Sequence, residues 1–207
     1  MAPARPVVHY AGVPLTDGEL LSRATELQAE GRQLLAELAL PTVFPGFGSV
    51  EPVGSIVSGL MVWGDLDLMF SAPSATPALV LAGMRRLVED PRIVAMDYHD
   101  ERADRRPTPA ITDERFYLVC KYAGVHRQWK IDITIWLHDV ARPTRSYAES
   151  LLDITDAQRL DILRLKEIWH KLPAYPYEIG GLDIYTAVLE HGVRTPAQFT
   201  AYLGERK

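Results

Sequence analysis

The chain has 207 residues, 47% of them hydrophobic and 24% charged, a globular composition with room for one sizeable α/β domain and a small helical appendage; disorder is excluded. A formal charge of −5 supplies no net positive field of the kind that holds duplex DNA, so duplex DNA is not an expected partner. A nucleotide or a tRNA end stays open, because a local basic patch or a bound metal can reverse the field. Cys120 is the only cysteine, which rules out an internal disulfide and makes a reducing cytoplasm the expected compartment.

Met1 to Leu15 carries no apolar run of signal-peptide type, and the uncharged stretch Val53 to Gly64 is too short and polar to span a bilayer, so no membrane partner is expected. A capping box at Thr16-Asp17-Gly18-Glu19 opens a helix to about Leu40, with Leu20, Leu27, Leu34 and Leu38 on its apolar stripe. Leu66 to Phe70 reads as a strand, and Thr76-Pro77 starts a helix ending near Glu89. Ile93 to Tyr98 is a second strand, followed by a charged, proline-containing loop from His99 to Arg115. Phe116 to Tyr122 and Trp129 to Leu137 form a hairpin through Gly124 to Arg127.

The remainder is helical. A second box at Thr155 to Gln158 opens a helix to about Leu172, stopped by Pro173. A helix from Leu182 to His191 ends at Gly192, and a third box at Thr195 to Gln198 starts the last one. The expected class is α/β of the α+β type: a mixed β-sheet with flanking helices over residues 1–145 and a C-terminal helical region over 146–207.

Strand alternation isolates the chemistry. In Asp65-Leu66-Asp67-Leu68-Met69-Phe70 the two aspartates share one face and the apolar residues Leu66, Leu68 and Phe70 the other. In Lys130-Ile131-Asp132-Ile133-Thr134-Ile135 the split recurs, with Asp132 beside Lys130 and Thr134. Carboxylates crowded on neighbouring strands need a shifted pKa, a basic partner or a divalent cation. Hard oxygen ligands suit Mg²⁺, and two such ions can serve an attacking hydroxyl and a leaving pyrophosphate together. Upstream, Gly54-Ser55 is a tight turn whose amides and hydroxyl suit phosphate oxygens, and nine residues, Ile56 to Gly64, separate it from Asp65.

That pattern of Gly-Ser turn, nine residues, Asp-Leu-Asp strand and a later aliphatic-flanked aspartate resembles the DNA polymerase beta-like nucleotidyltransferase superfamily, over roughly residues 45 to 140. The resemblance implies a nucleotidyltransferase fold and a small, single-chain enzyme. Asp65, Asp67 and Asp132 would be catalytic and would ligate Mg²⁺, Gly54 and Ser55 would hold the triphosphate, and Asp132 would draw the proton from the acceptor. The helical C-terminal region would answer to the helices that help bind nucleotide and acceptor in small members. Two positions depart from the pattern: Ser58 where many members have arginine, and Gly64 where many have Ser or Thr.

Lys130 is expected to face the phosphates or to be a surface lysine, and Asp132 has the alternative of a plain ion pair with Lys130 or Lys121. Gly48-Ser49 reads as loop punctuation. Arg159, Arg164, Lys166, His170 and Lys171 read as a solvated helix face before an RNA contact, Tyr177 and Tyr185 as packing before stacking, and His99, Asp100 and Glu101 as loop surface. The two helices flanking Gly192-Val193-Arg194 read as a packed hairpin rather than a DNA reader. The expected function is transfer of a nucleoside monophosphate from an NTP, ATP included, to a hydroxyl on a small molecule such as an antibiotic, or on a protein, with pyrophosphate released. A toxin-like tRNA nucleotidyltransferase and a catalytically weak nucleotide binder are the alternatives.

Overall fold

The computed structural model describes residues 15–108, 113–176 and 178–205. In chain order the elements are α1 (Asp17–Leu38), α2 (Leu40–Val43), β1 (Glu51–Val53), α3 (Ser55–Ser58), β2 (Asp65–Ser71), α4 (Pro77–Leu87) and β3 (Ile93–Glu101). They continue with β4 (Arg115–Ala123), β5 (Gln128–Trp136), α5 (Thr144–Ser150), α6 (Asp156–Trp169), α7 (Gly181–Leu189) and α8 (Pro196–Glu205). The chain forms two compact units, one of Arg23–Ile154 and one joining the residues up to Ser22 to those from Thr155 onward. No helix among the described residues is long and apolar enough to cross a membrane.

The larger unit is built on a mixed five-stranded sheet in the order β1-β2-β5-β4-β3. β2 and β5 run parallel, and the other pairs are antiparallel. The alternation of β2 and β5 explains why these strands are central. Leu66, Leu68, Phe70, Ile131, Ile133 and Ile135 are all at most 1% exposed and form one apolar face. Phe116, Leu118 and Cys120 of β4 extend it, and Leu27, Leu34 and Leu38 of α1 with Val80 and Leu87 of α4 complete the core. Phe44, Phe47 and Phe70 meet there with ring centroids 5.5 to 6.0 Å apart. Burial pushes the Cys120 thiol up to about 12, which leaves it a core hydrophobe.

The first helix ends two residues sooner than the leucine stripe predicts. Ala39 takes a left-handed φ of 43°, and Pro41 sits in the first turn of α2, where its missing amide costs nothing. The charged run after Tyr98 corrects a second expectation. β3 extends through Glu101, pairing with β4 back to Arg115, so His99, Asp100 and Glu101 are strand residues. Glu101 is 7% exposed and paired with Arg115, while Asp100 binds Arg102 at 2.7 Å and Arg105 at 3.0 Å. These partners let a charged segment hold the sheet edge. β1 is an added element, a three-residue edge strand, and Pro52 inside it suits only an edge.

In the smaller unit all three capping boxes form, at Thr16, Thr155 and Thr195. The basic residues of α6 and the turn after it are divided: Arg164 and Lys171 stay on an exposed face, as expected, while Lys166 turns inward. Lys166 is 3% exposed and donates to the Tyr185 hydroxyl at 3.1 Å, Arg164 pairs with Asp17 and Asp161, and Lys171 pairs with Glu167. Tyr185 is buried, and Phe199 of α8 packs edge-on to Trp169 of α6 at 5.1 Å, so α8 is packed against a neighbouring helix. Tyr177 lies outside the described residues.

Phe70→Ala tests the core assignment. It should cost about 3–5 kcal/mol in urea unfolding, because the ring is fully buried among other aromatics. A loss under about 1 kcal/mol would contradict this packing.

Candidate active site

Asp67 of β2 stands directly opposite Asp132 of β5 in the parallel register, and Asp65 stands opposite Lys130. Residues in register share a face, so the two strands bring the three carboxylates together on the side away from the aliphatic core. One oxygen from each of Asp65, Asp67 and Asp132 lies within 4.8 Å of the others. Asp65 and Asp67 are half-buried, and Asp132 is 8% exposed.

The two oxygens of Asp132 have different surroundings. Oδ2 accepts a hydrogen bond from the Lys130 ammonium at 2.5 Å and another from the Tyr117 hydroxyl at 2.7 Å. Oδ1 is buried and takes no hydrogen bond. Buried acceptors are rarely left so. Lys130 also lies 3.9 Å from Asp65 Oδ1. Burial pulls its ammonium down, but the charges of Asp65 and Asp132 outweigh that and raise its pKa, so it stays a cation. Burial, then the Asp132 charge, pushes the Tyr117 phenol well above its ordinary value and keeps it a donor.

Thus the ion pair of Asp132 with Lys130 exists, and it exists inside the cluster. Lys121 lies across from Lys130 on β4 and is exposed. Tyr117 was missed by the sequence reading, although a signal was there. In the β4–β5 hairpin Tyr117 falls opposite Thr134, two residues along from Asp132 on the same face.

The Gly54-Ser55 turn abuts the cluster. Val53 pairs with Asp67, so the next residue, Gly54, passes directly beside that carboxylate. Its φ is 66°, and a Cβ there would sit 2.8 Å from Asp67 Oδ2, which leaves glycine as the fitting residue. Ser55 then starts α3, and the Gln28 side chain of α1 fixes that turn by donating to the Ile56 carbonyl at 2.8 Å. The nine-residue spacer holds α3 and the left-handed cap Gly59, a short helical turn with a tight reversal. Ser58 is 1% exposed and its hydroxyl donates to the Gly54 carbonyl at 3.4 Å. Gly64 is required by packing, since a Cβ would meet the Gln128 carbonyl at 2.8 Å. Gly48 and Ser49 lie elsewhere, at the wall of a cavity near the C-terminal ends of β2 and β5.

The donor set therefore fits a hard divalent cation: three carboxylates from two strands, with one buried oxygen still able to accept. Asp65, Asp67 and Asp132 are the residues that would hold it. No family model matches the sequence, and no curated protein is similar to it. Among solved structures the chain is similar to the complex titled as the non-canonical poly(A) polymerase GLD-2 with GLD-3, at a TM-score of 0.58 and 14% identity. That match covers 90% of this chain and 61% of the other. It is also similar to a cytoplasmic RNA terminal U-transferase, at a TM-score of 0.50 and 16% identity, covering 84% of this chain and 52% of the other. The chain spans between half and two thirds of these structures. At such identities the likeness is one of fold, and the fold is the nucleotidyltransferase fold: a mixed five-stranded sheet with flanking helices.

Replacing the internal cation tests this electrostatic account. Lys130→Ala should lower metal-free stability by about 1 kcal/mol or more, read as a melting temperature lower by roughly 2–4 °C. Added Mg²⁺ should recover that loss and give a larger upward shift than in the parent protein. Unchanged melting with and without Mg²⁺ would remove Lys130 from the cluster's charge balance.

Proposed function

We propose that the chain is a nucleotidyltransferase that moves a nucleoside monophosphate from an NTP to a hydroxyl acceptor and releases pyrophosphate. The observation that carries this reading is the registered pairing of Asp67 with Asp132, with Asp65 beside them, next to a glycine turn. The chemistry is assigned to the domain within residues 1–145, with 146–207 as the helical region.

Gly54 and Ser55 hold the triphosphate, the backbone amides of the turn and the serine hydroxyl facing its oxygens. Asp65, Asp67 and Asp132 would hold Mg²⁺, which would supply charge neutralisation on the phosphates and acidify the acceptor hydroxyl. Asp132 Oδ1 takes the acceptor's proton, since Tyr117 and Lys130 occupy its other oxygen. The acceptor oxygen bonds to the α-phosphorus, and the bond from that phosphorus to the pyrophosphate oxygen breaks. Lys130 counters the negative charge at the phosphates. The acceptor on this reading is a small molecule such as an antibiotic, or a protein. A second reading, an RNA or tRNA end, draws on the printed names of the structural neighbours, which are a poly(A) polymerase and an RNA terminal U-transferase.

A pyrophosphate-release screen of ATP, GTP, CTP and UTP with Mg²⁺ against antibiotics, tRNA and cell extract tests the function directly. Release should need both metal and an acceptor. Tight nucleotide binding indifferent to Mg²⁺ would favour a non-catalytic binder.

Two substitutions give sharper outcomes. Asp67→Ala should abolish release while the metal-free melting temperature holds or rises, because a repelling charge has gone. Near-parental turnover in that variant would end the assignment. Asp132→Asn should lower turnover by about 100-fold or more with little change in NTP affinity. Equal losses in both would reduce Asp132 to a ligand.

A further inference from the structure

A cavity of about 430 Å³ opens on the same sheet face as the three carboxylates, a size typical of small-ligand sites. Its floor includes Met69 and Ser71 of β2 and Trp136 of β5. These residues continue the face that carries Asp67 and Asp132, since Ser71 stands opposite Trp136 in the same register. With a rise of about 3.3 Å per residue, Met69 lies about 7 Å beyond Asp67 and Ser71 about 13 Å beyond it. A molecule seated there has one end within reach of the cluster.

The charges of the lining select what fits. Arg142 is already engaged: it pairs with Asp113, donates to the His138 carbonyl at 2.9 Å and the Val140 carbonyl at 3.1 Å, and lies 4.4 Å over the Trp136 ring. Glu51 and Asp139 also line the cavity, both are exposed, and among the described residues neither forms an ion pair. Asp139 accepts a hydrogen bond from Ser71 at 3.0 Å, and Ser49 adds a second hydroxyl. The cavity is thus negative and rich in hydrogen-bonding groups. It repels a phosphodiester and attracts an ammonium.

We propose that this cavity is the acceptor subsite and that it takes a small, cationic, hydroxyl-bearing molecule, such as one built on an amino sugar. The proposal rests on the nucleotidyl-transfer reading and names its acceptor class. Glu51 and Asp139 bind the ammonium, Ser49 and Ser71 bind hydroxyls, and a further hydroxyl is left to reach the α-phosphorus. In the transfer that oxygen gains the bond to phosphorus, its proton passes to Asp132, and pyrophosphate leaves with the bonding pair of the broken P–O bond.

The test uses the ¹⁵N-labelled full chain and the indole signal of Trp136, assigned by its loss in Trp136→Phe. Three probes are titrated: the glucosamine disaccharide, cellobiose as its neutral counterpart, and pentaadenylate. The cationic sugar should move the Trp136 signal with at least ten-fold higher affinity than cellobiose, and pentaadenylate should leave it unmoved. In the double variant Glu51→Gln, Asp139→Asn, its spectrum otherwise preserved, the two sugars should bind alike. Equal binding of the sugars to the parent chain, a Trp136 shift with pentaadenylate, or no shift with any probe overturns the proposal. Titrating the four NTPs with Mg²⁺ on the same sample separates the two failures. Metal-dependent NTP binding with an indifferent cavity sinks only the acceptor class, whereas loss of that binding sinks the underlying function.

Discussion

Two carboxylates placed directly opposite one another on parallel central strands are a standing repulsion, and Asp67 and Asp132 are so placed. At such separations a pair of like charges costs on the order of 1 kcal/mol in water and several times that at intermediate dielectric. A third carboxylate, Asp65, adds to it. The fold tolerates this because the opposite face of the same strands is closed by six aliphatic and aromatic side chains at most 1% exposed. Burial of that kind, worth roughly 1.5–3 kcal/mol per side chain, exceeds the repulsion several times over. Lys130 then offsets part of the remainder from within, bridging toward Asp132 and Asp65.

This arrangement gives Lys130 and a divalent cation overlapping electrostatic work. Without metal, the ammonium is the positive charge inside the cluster. On the proposed reading a bound metal would satisfy the carboxylates with a stronger field and leave the lysine for phosphate oxygens. Tyr117 holds the Asp132 carboxylate through the same oxygen that Lys130 uses. The second oxygen is left without a hydrogen bond. The Gly54 turn is fixed with similar economy: its closeness to Asp67 excludes any side chain, so the turn backbone and the carboxylate are held side by side.

Much of this was legible in the sequence because alternation is a strict geometric rule. Asp65 and Asp67 had to share a face, as did Lys130 and Asp132, and the capping boxes at Thr16, Thr155 and Thr195 marked helix starts through local hydrogen bonds alone. What escaped depended on partners distant in sequence. β1 is three residues long and contains Pro52, so nothing local marks it as a strand; pairing with β2 makes it one. The end of β3 reads as a loop because its charges are neutralised by Arg102, Arg105 and Arg115. The burial of Lys166 within the basic face of α6 escaped because its partner, Tyr185, lies 19 positions away. The departure at Gly64 gains its reason only from the approach of the Gln128 carbonyl.

On the proposed reading the sheet face orders the substrates along one line. Gly54 adjoins Asp67 on the β1 side, the carboxylates occupy the middle, and Met69, Ser71 and Trp136 follow toward the strands' C-terminal ends. Strand spacing would then set most of the distance between the metal ligands and the acceptor. Selectivity must come from the side chains that alternate onto that face and the loop beside it. A transferase that extends RNA needs positive charge where the chain end enters. Here the region beyond Asp67 presents Glu51 and Asp139 while its arginine is bound to Asp113. The same fold that accommodates polyadenylation and uridylylation in its structural neighbours can therefore serve a different acceptor through a change of charge confined to one end of the sheet.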